Sequence, residues 1–179
     1  MHSLSYKVAL GGIISSMCLL CMFLTGIFPA LSIVLPMIAG ILMMIIAAEI
    51  NTSWAFLTFA ATSLLSLFVT FDKEASLFYI MLFGHYPIIK KYIDKVKPKV
   101  LNIAVKAVIF NFCVITETIL TTILLGGDEL YEAIQEHGKI IVIILLVMIN
   151  FICFVYDMSL EGIFELYKRR IKPKLCSGK

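Results

Sequence analysis

Of the 179 residues, 61% are hydrophobic and 15% charged, with a mean hydropathy of +1.01 and a formal net charge of +3. Soluble domains run at roughly half apolar and a quarter charged, so a water-soluble globule is excluded: no core of this size hides so much apolar surface. The positive balance is no nucleic-acid footprint, because the basic residues lie beside the apolar runs.

Long uncharged runs set the class. Val8 to Ala48 carries no charge, and neither do Ile50 to Phe71 or Ile140 to Tyr156. A hydrocarbon core of about 30 Å takes roughly 20 helical residues, so the first run holds two spans, with Pro29 and Pro36 marking the turn. The expected fold is all-α: one polytopic membrane domain over 1–179 with six transmembrane helices at about 8–28, 31–49, 53–71, 75–92, 100–126 and 139–166, followed by a basic cytosolic tail at 167–179.

Lys7 ahead of the first apolar stretch resembles a signal-peptide start. The stretch is too long and lacks a small-residue cleavage site, so it is expected to remain as a span. In that span Gly11 and Gly12 with Ser15 and Ser16 make two overlapping small-x-x-x-small pairs, a pattern that admits a close neighbouring backbone and is the candidate partner-docking face. Cys18 and Cys21 have a C-x-x-C spacing, but inside a span they are read as apolar packing residues; no metal set is expected.

The turn after span three holds Asp72, Lys73 and Glu74, and span four follows with Tyr79 and with His85 beside Pro87. Its uncharged part is short, Ala75 to Ile89, and a re-entrant segment is the alternative; Lys90 and Lys91 extend the span if they snorkel. The next loop adds Lys95, Lys97 and Lys99. With Lys7 and the six basic residues of the tail, twelve of the fifteen then lie in the cytosol, which gives an N-in, C-in topology. The acidic segment Gly127 to Gly138 falls outside and reads as a short amphipathic surface helix. The C-terminal tetrapeptide, beginning at Cys176, lacks the aliphatic pair that prenylation prefers.

Charges within spans need partners or roles. Lys106 and Glu117 are eleven residues apart, which returns them to within about 20° on one helical face. Asn150, Asp157 and Glu161 share a face of span six. If spans five and six pair antiparallel, one register sets Lys106 level with Glu161 and Glu117 level with Asn150, with Asp157 near enough to share the lysine. Lys106, Glu161 and Asp157 are thus the expected structural ion pair. Asn150 cannot neutralise Glu117, so this carboxyl is either protonated, hydrated in a cavity or paired with a ligand cation. The candidate ligand-binding residues are Glu117, Asn150, Thr121 and Tyr79, with Asp72 and Lys73 at the outer rim. No hydrolase, zinc-protease or P-loop motif occurs, so no catalytic residue and no cofactor is assigned, and a non-enzymatic role is expected.

The small-residue first span running into Phe28-Pro29-Ala30, then Ile38-Ala39-Gly40, together with the size and topology, resembles the substrate-binding S components of energy-coupling factor (ECF) transporters. The Ala-x-x-x-Ala docking element of that family corresponds here to Ala9-x-x-x-Ile13, with small residues displaced to Gly11, Gly12, Ser15 and Ser16. The resemblance implies a solute-binding subunit in the cell membrane, working with a transmembrane coupling protein and ATPase subunits on a small-molecule solute. A non-transporting scaffold or assembly protein and a homodimeric proton-coupled carrier are the competing classes.

Overall fold

A computed structural model of the chain describes residues 3–126, 135, 138, 140–167 and 169. Among these the secondary structure is entirely helical. The chain divides into two compact units, Met1–Asp128 and Glu129–Lys179.

In the first unit α1 spans Leu4–Thr25, a 3₁₀ turn Pro29–Leu31, α2 Val34–Glu49 and α3 Thr52–Val69. The fourth helical path is composite: α4 Lys73–Phe78, a π turn Tyr79–Phe83 and α5 Tyr86–Ile93. α6 covers Lys99–Leu125. In the second unit the principal element is α7, Ile140–Leu166. The expected surface helix at 127–138 and nearly all of the basic tail lie outside the described residues.

Local chemistry sets the helix limits. α1 starts earlier than hydropathy alone places a span because the Ser3 hydroxyl accepts the Tyr6 amide at 3.3 Å. Asn51 Oδ1 caps α3 by accepting the Trp54 amide at 2.8 Å, and Asp72 Oδ1 caps α4 by accepting that of Ala75 at 3.0 Å. α6 ends at Gly126, whose φ of 68° is the left-handed conformation that terminates helices and suits glycine.

Contacts at both ends fix the directions in the first unit. At one end Lys7 lies over the Trp54 ring at 5.9 Å, and the Thr52 and Tyr92 hydroxyls are 3.1 Å apart. At the other, Ser32 donates to Asp72 at 2.7 Å and the Phe23 and Phe71 rings are 5.7 Å apart. Successive helices therefore alternate in direction.

The composite fourth path is the least apolar by sequence and the most enclosed. Ala75, Tyr79, Phe83, Tyr86 and Ile88 are each at most 1% exposed. Pro87 lacks the N–H that would continue the ladder, and just before it the ladder shifts register, the Gly84 amide donating to Tyr79 O at 2.7 Å. Counted from Lys73 to Ile93, the path is about 31 Å long at 1.5 Å per residue.

Polarity is inverted relative to a soluble bundle. The buried face of α3 is Ala55, Thr58, Thr62, Ser63 and Ser66, while Leu57, Leu64 and Phe68 face out, Phe68 at 84% exposure. Among the described residues four helices are long and apolar enough to cross a membrane: α1, α3, α6 and α7. α7 is the most apolar of the four. So much outward apolar surface needs hydrocarbon around it, and the helices satisfy their own backbone polar groups as hydrocarbon demands.

Gly84 is where the fourth path meets α3: a Cβ there would lie 2.5 Å from Phe59 Cε2 and 2.9 Å from the Tyr79 carbonyl oxygen. Gly12 has nothing within 4 Å of such a Cβ. Gly84→Ala is expected to destabilise the protein by about 1–3 kcal/mol through overpacking, with Gly12→Ala within about 0.5 kcal/mol of the parent, measured by unfolding in detergent.

Candidate functional site

The buried residues of α6 are Phe110, Cys113 and Glu117, and with Lys106 they form the stripe that faces the composite fourth path. Contacts along the stripe run antiparallel. Lys106 Nζ lies 2.8 Å from Asp94 Oδ1. The Phe110 and Tyr86 rings are 4.5 Å apart. Cys113 Sγ lies 3.8 Å from His85 Nε2. At the far end Glu117 is close enough to Glu74, at the start of α4, for their charges to interact.

Each level has its own chemistry. Asp94 is shared, since Lys90 Nζ, one turn earlier, lies 3.5 Å from its other oxygen. Asn102 Nδ2 donates to Ile93 O at 2.7 Å and ties the end of α5 to α6. His85 Nδ1 is 3.2 Å from Ile80 O; a carbonyl only accepts, so Nδ1 carries the proton and Nε2 receives the weak Cys113 thiol donor. This histidine is matched on both sides, the arrangement expected of a packing residue at a disturbed turn.

Glu117 is 4% exposed. Thr121 Oγ1 donates to its Oε1 at 2.8 Å, and among the described residues its second oxygen has no hydrogen-bond partner. Glu117 and Thr121, one turn apart, are thus brought together. The side chain points into the seam between α6 and α4, toward the end where Glu74 is exposed.

Other expected site residues have structural partners. Tyr79 is enclosed in the α1–α3 core, and its hydroxyl lies 3.0 Å from Thr62 Oγ1. Thr62 donates to Thr58 O and Phe59 O, leaving the tyrosine as donor to Thr62. Asp72 caps α4 and accepts from Ser32, while Lys73 Nζ donates to Leu67 O at 2.6 Å and Thr70 O at 2.7 Å, closing the C-terminal end of α3. The rim charges are therefore occupied in joining helices.

Asn150, Asp157 and Glu161 belong to the second unit. Within it Asn150 Nδ2 donates to Leu146 O at 2.8 Å along its own helix, and Asp157 is buried. The small residues of α1 divide between two faces. A Cβ on Gly11 would meet Thr58 Oγ1 at 3.5 Å, so this glycine lines the α1–α3 contact, whereas Gly12 and Ser16 face outward, with Ser16 Oγ donating to Gly12 O at 2.9 Å.

Sequence reasoning left out Asp94, Cys113 and Glu74 from the stripe. Asp94 had a signal: it is the one acidic residue among the lysines at 90–99, four residues after Lys90. In a double-mutant cycle of Asp94→Asn with Lys106→Met, read by thermal unfolding, a coupling of about 0.5–1 kcal/mol is expected, modest because the Asp94 side chain is 39% exposed. Additive losses would show that the pair contributes nothing. The chain matches no family model, no curated protein and no solved structure, so its function rests on the chemistry of these residues.

Proposed function

We propose that the chain is a six-span, N-in and C-in protein of the cell membrane that binds a small cationic solute from the outer side, with Glu117 as its anionic contact. The observation that carries this reading is Glu117, a residue 4% exposed, with one carboxyl oxygen held by Thr121 and the other without a hydrogen-bond partner among the described residues. A second carboxylate, Glu74, lies close enough to the same seam for its charge to act on Glu117 and adds to the negative potential there. An ammonium or similar cation drawn to Glu117 takes the vacant acceptor. Cys113 and His85 lie one turn deeper on the stripe, and the Tyr86 and Phe110 rings, in tilted contact, form an apolar floor.

Topology follows from where the charges fall. Lys91, Lys95, Lys97 and Lys99 gather at the end that also holds Lys7, and excess lysine marks the cytosolic side. Glu74 and the mouth of the Glu117 seam then face the exterior. A chain with no nucleotide motif fits a binding subunit powered by partners, which is the role of ECF S components with their coupling protein and ATPase subunits. The outward Gly12 and Ser16 face on α1 is the docking candidate for such a partner.

Cysteines placed at Lys95 and Glu132 should be labelled by impermeant reagents from opposite sides of the membrane; same-side labelling overturns the topology. For the site, a screen of organic amines, vitamins and metal ions by thermal shift on detergent-purified protein should find a cation that raises the melting temperature by about 5 °C near saturation. Glu117→Gln should keep the unliganded melting behaviour and lose that rise. If every solute leaves the temperature unchanged and no ATPase partner co-purifies, the scaffold reading replaces this one.

A further inference from the structure

The end of the first unit that carries Trp54 and Tyr92 is built to hold lysines at one depth. Tyr92 is half-exposed with its hydroxyl tied to Thr52, and Trp54 lies under the Lys7 ammonium. Aromatic side chains with one polar edge collect at the boundary between hydrocarbon and headgroups, so the pair marks that boundary. The segment 91–99 begins beside Tyr92, and Lys91, Lys95, Lys97 and Lys99 are all exposed on it. Among the described residues no carboxylate pairs with any of the four. Asp94, the acidic residue within the segment, has its two oxygens directed at Lys90 and Lys106 instead.

The segment is also held in place. Asp94 pins it to α6 through Lys106, Asn102 donates to Ile93 O at its start, and the Lys95 ammonium stands 5.4 Å from the Tyr92 ring centre. Four amines are thus presented together, just beyond the aromatic level, with their local counter-charge withdrawn. An exposed cluster of this kind attracts phosphate groups, and at this depth the available phosphates are those of lipid headgroups.

We propose that residues 91–99 form a docking surface for anionic phospholipid headgroups, with Lys91, Lys95, Lys97 and Lys99 as the contacting groups. This rests on the membrane-embedded reading and is independent of any solute at Glu117. Charge complementarity selects the occupant: four cations held at the headgroup boundary face a leaflet whose anionic lipids are concentrated at that same level.

The test uses the full chain in nanodiscs of phosphatidylcholine alone or with phosphatidylglycerol added. Phosphatidylglycerol should raise the melting temperature by about 3–5 °C at low salt, and most of the rise should disappear in 0.5 M NaCl, where exposed charges are screened (about 3 °C per kcal/mol for a chain of this size). The fourfold variant Lys91→Gln, Lys95→Gln, Lys97→Gln, Lys99→Gln should melt like the parent in phosphatidylcholine and lose the rise. Native mass spectrometry should show fewer retained phosphatidylglycerol molecules on that variant. Glycerol phosphate added to phosphatidylcholine discs should give no rise; an equal rise would assign the site to a soluble phosphate and overturn the lipid. No rise with phosphatidylglycerol, or a rise that the variant retains, would also overturn the proposal. Glu117→Gln should leave the lipid response intact, so failure of the solute site and failure of the lipid surface are read separately.

Discussion

A helix that carries a proline, a histidine and several hydroxyls can lie in hydrocarbon only when other helices shield it, and the composite path is shielded through its middle, from Ala75 to Lys90. The rest of the first unit follows from this. α1, α2 and α3 supply the apolar wall around Tyr79 and Ile88, and α6 supplies the polar one around His85 and Asp94. The π turn is part of the same solution: shifting the ladder by one residue before Pro87 accommodates the missing N–H, and His85 Nδ1 supplies a donor to Ile80 O nearby. Gly84 completes it by letting Phe59 lie against the backbone where a side chain would stand.

The inverted arrangement of α3 has the same origin. Thr58, Thr62 and Ser66 turn inward, where their hydroxyls back-bond to their own helix and where Tyr79 and Ser76 add cross-helix bonds. Such bonds contribute about 0.6 kcal/mol each in membranes, so they hold helices together weakly and specify how they face more than they drive association. Small hydroxyl residues also bring α1 close, as at Gly11 against Thr58. Shape and hydrogen bonding take the place that apolar burial has in a soluble core.

Much of this was legible in the residues. Uncharged runs located the helices, because a hydrocarbon solvent leaves few charges to confuse the pattern, and the eleven-residue spacing correctly put Lys106 and Glu117 on one face. The neighbour across that face was harder to read. The pairing of consecutive helices pointed to span six, which belongs to the second unit, and did not point to the composite path, where Asp94 lies 2.8 Å from Lys106. Around Tyr79 the local geometry was not legible either: a π turn begins at that tyrosine, whose hydroxyl lies 3.0 Å from Thr62 Oγ1. Asp72 and Lys73 stood in the sequence as rim residues, and which helix ends they join, α4 for Asp72 and α3 for Lys73, only the fold reveals.

Glu117 remains the group that helix packing explains least. A charged side chain in the membrane interior costs on the order of 2.5–3.5 kcal/mol on insertion scales, and a single hydrogen bond of the kind Thr121 gives offsets about 0.6 kcal/mol. A glutamine or leucine there would fill the seam at lower cost, as Phe110 does one level below the Cys113–His85 pair. Lys106 differs, because Asp94 neutralises it and its stem can run to the interface. The two charges on one face of α6 thus have opposite status. One is compensated where the helix meets the lysine segment, and the other keeps an acceptor without a hydrogen-bond partner among the described residues.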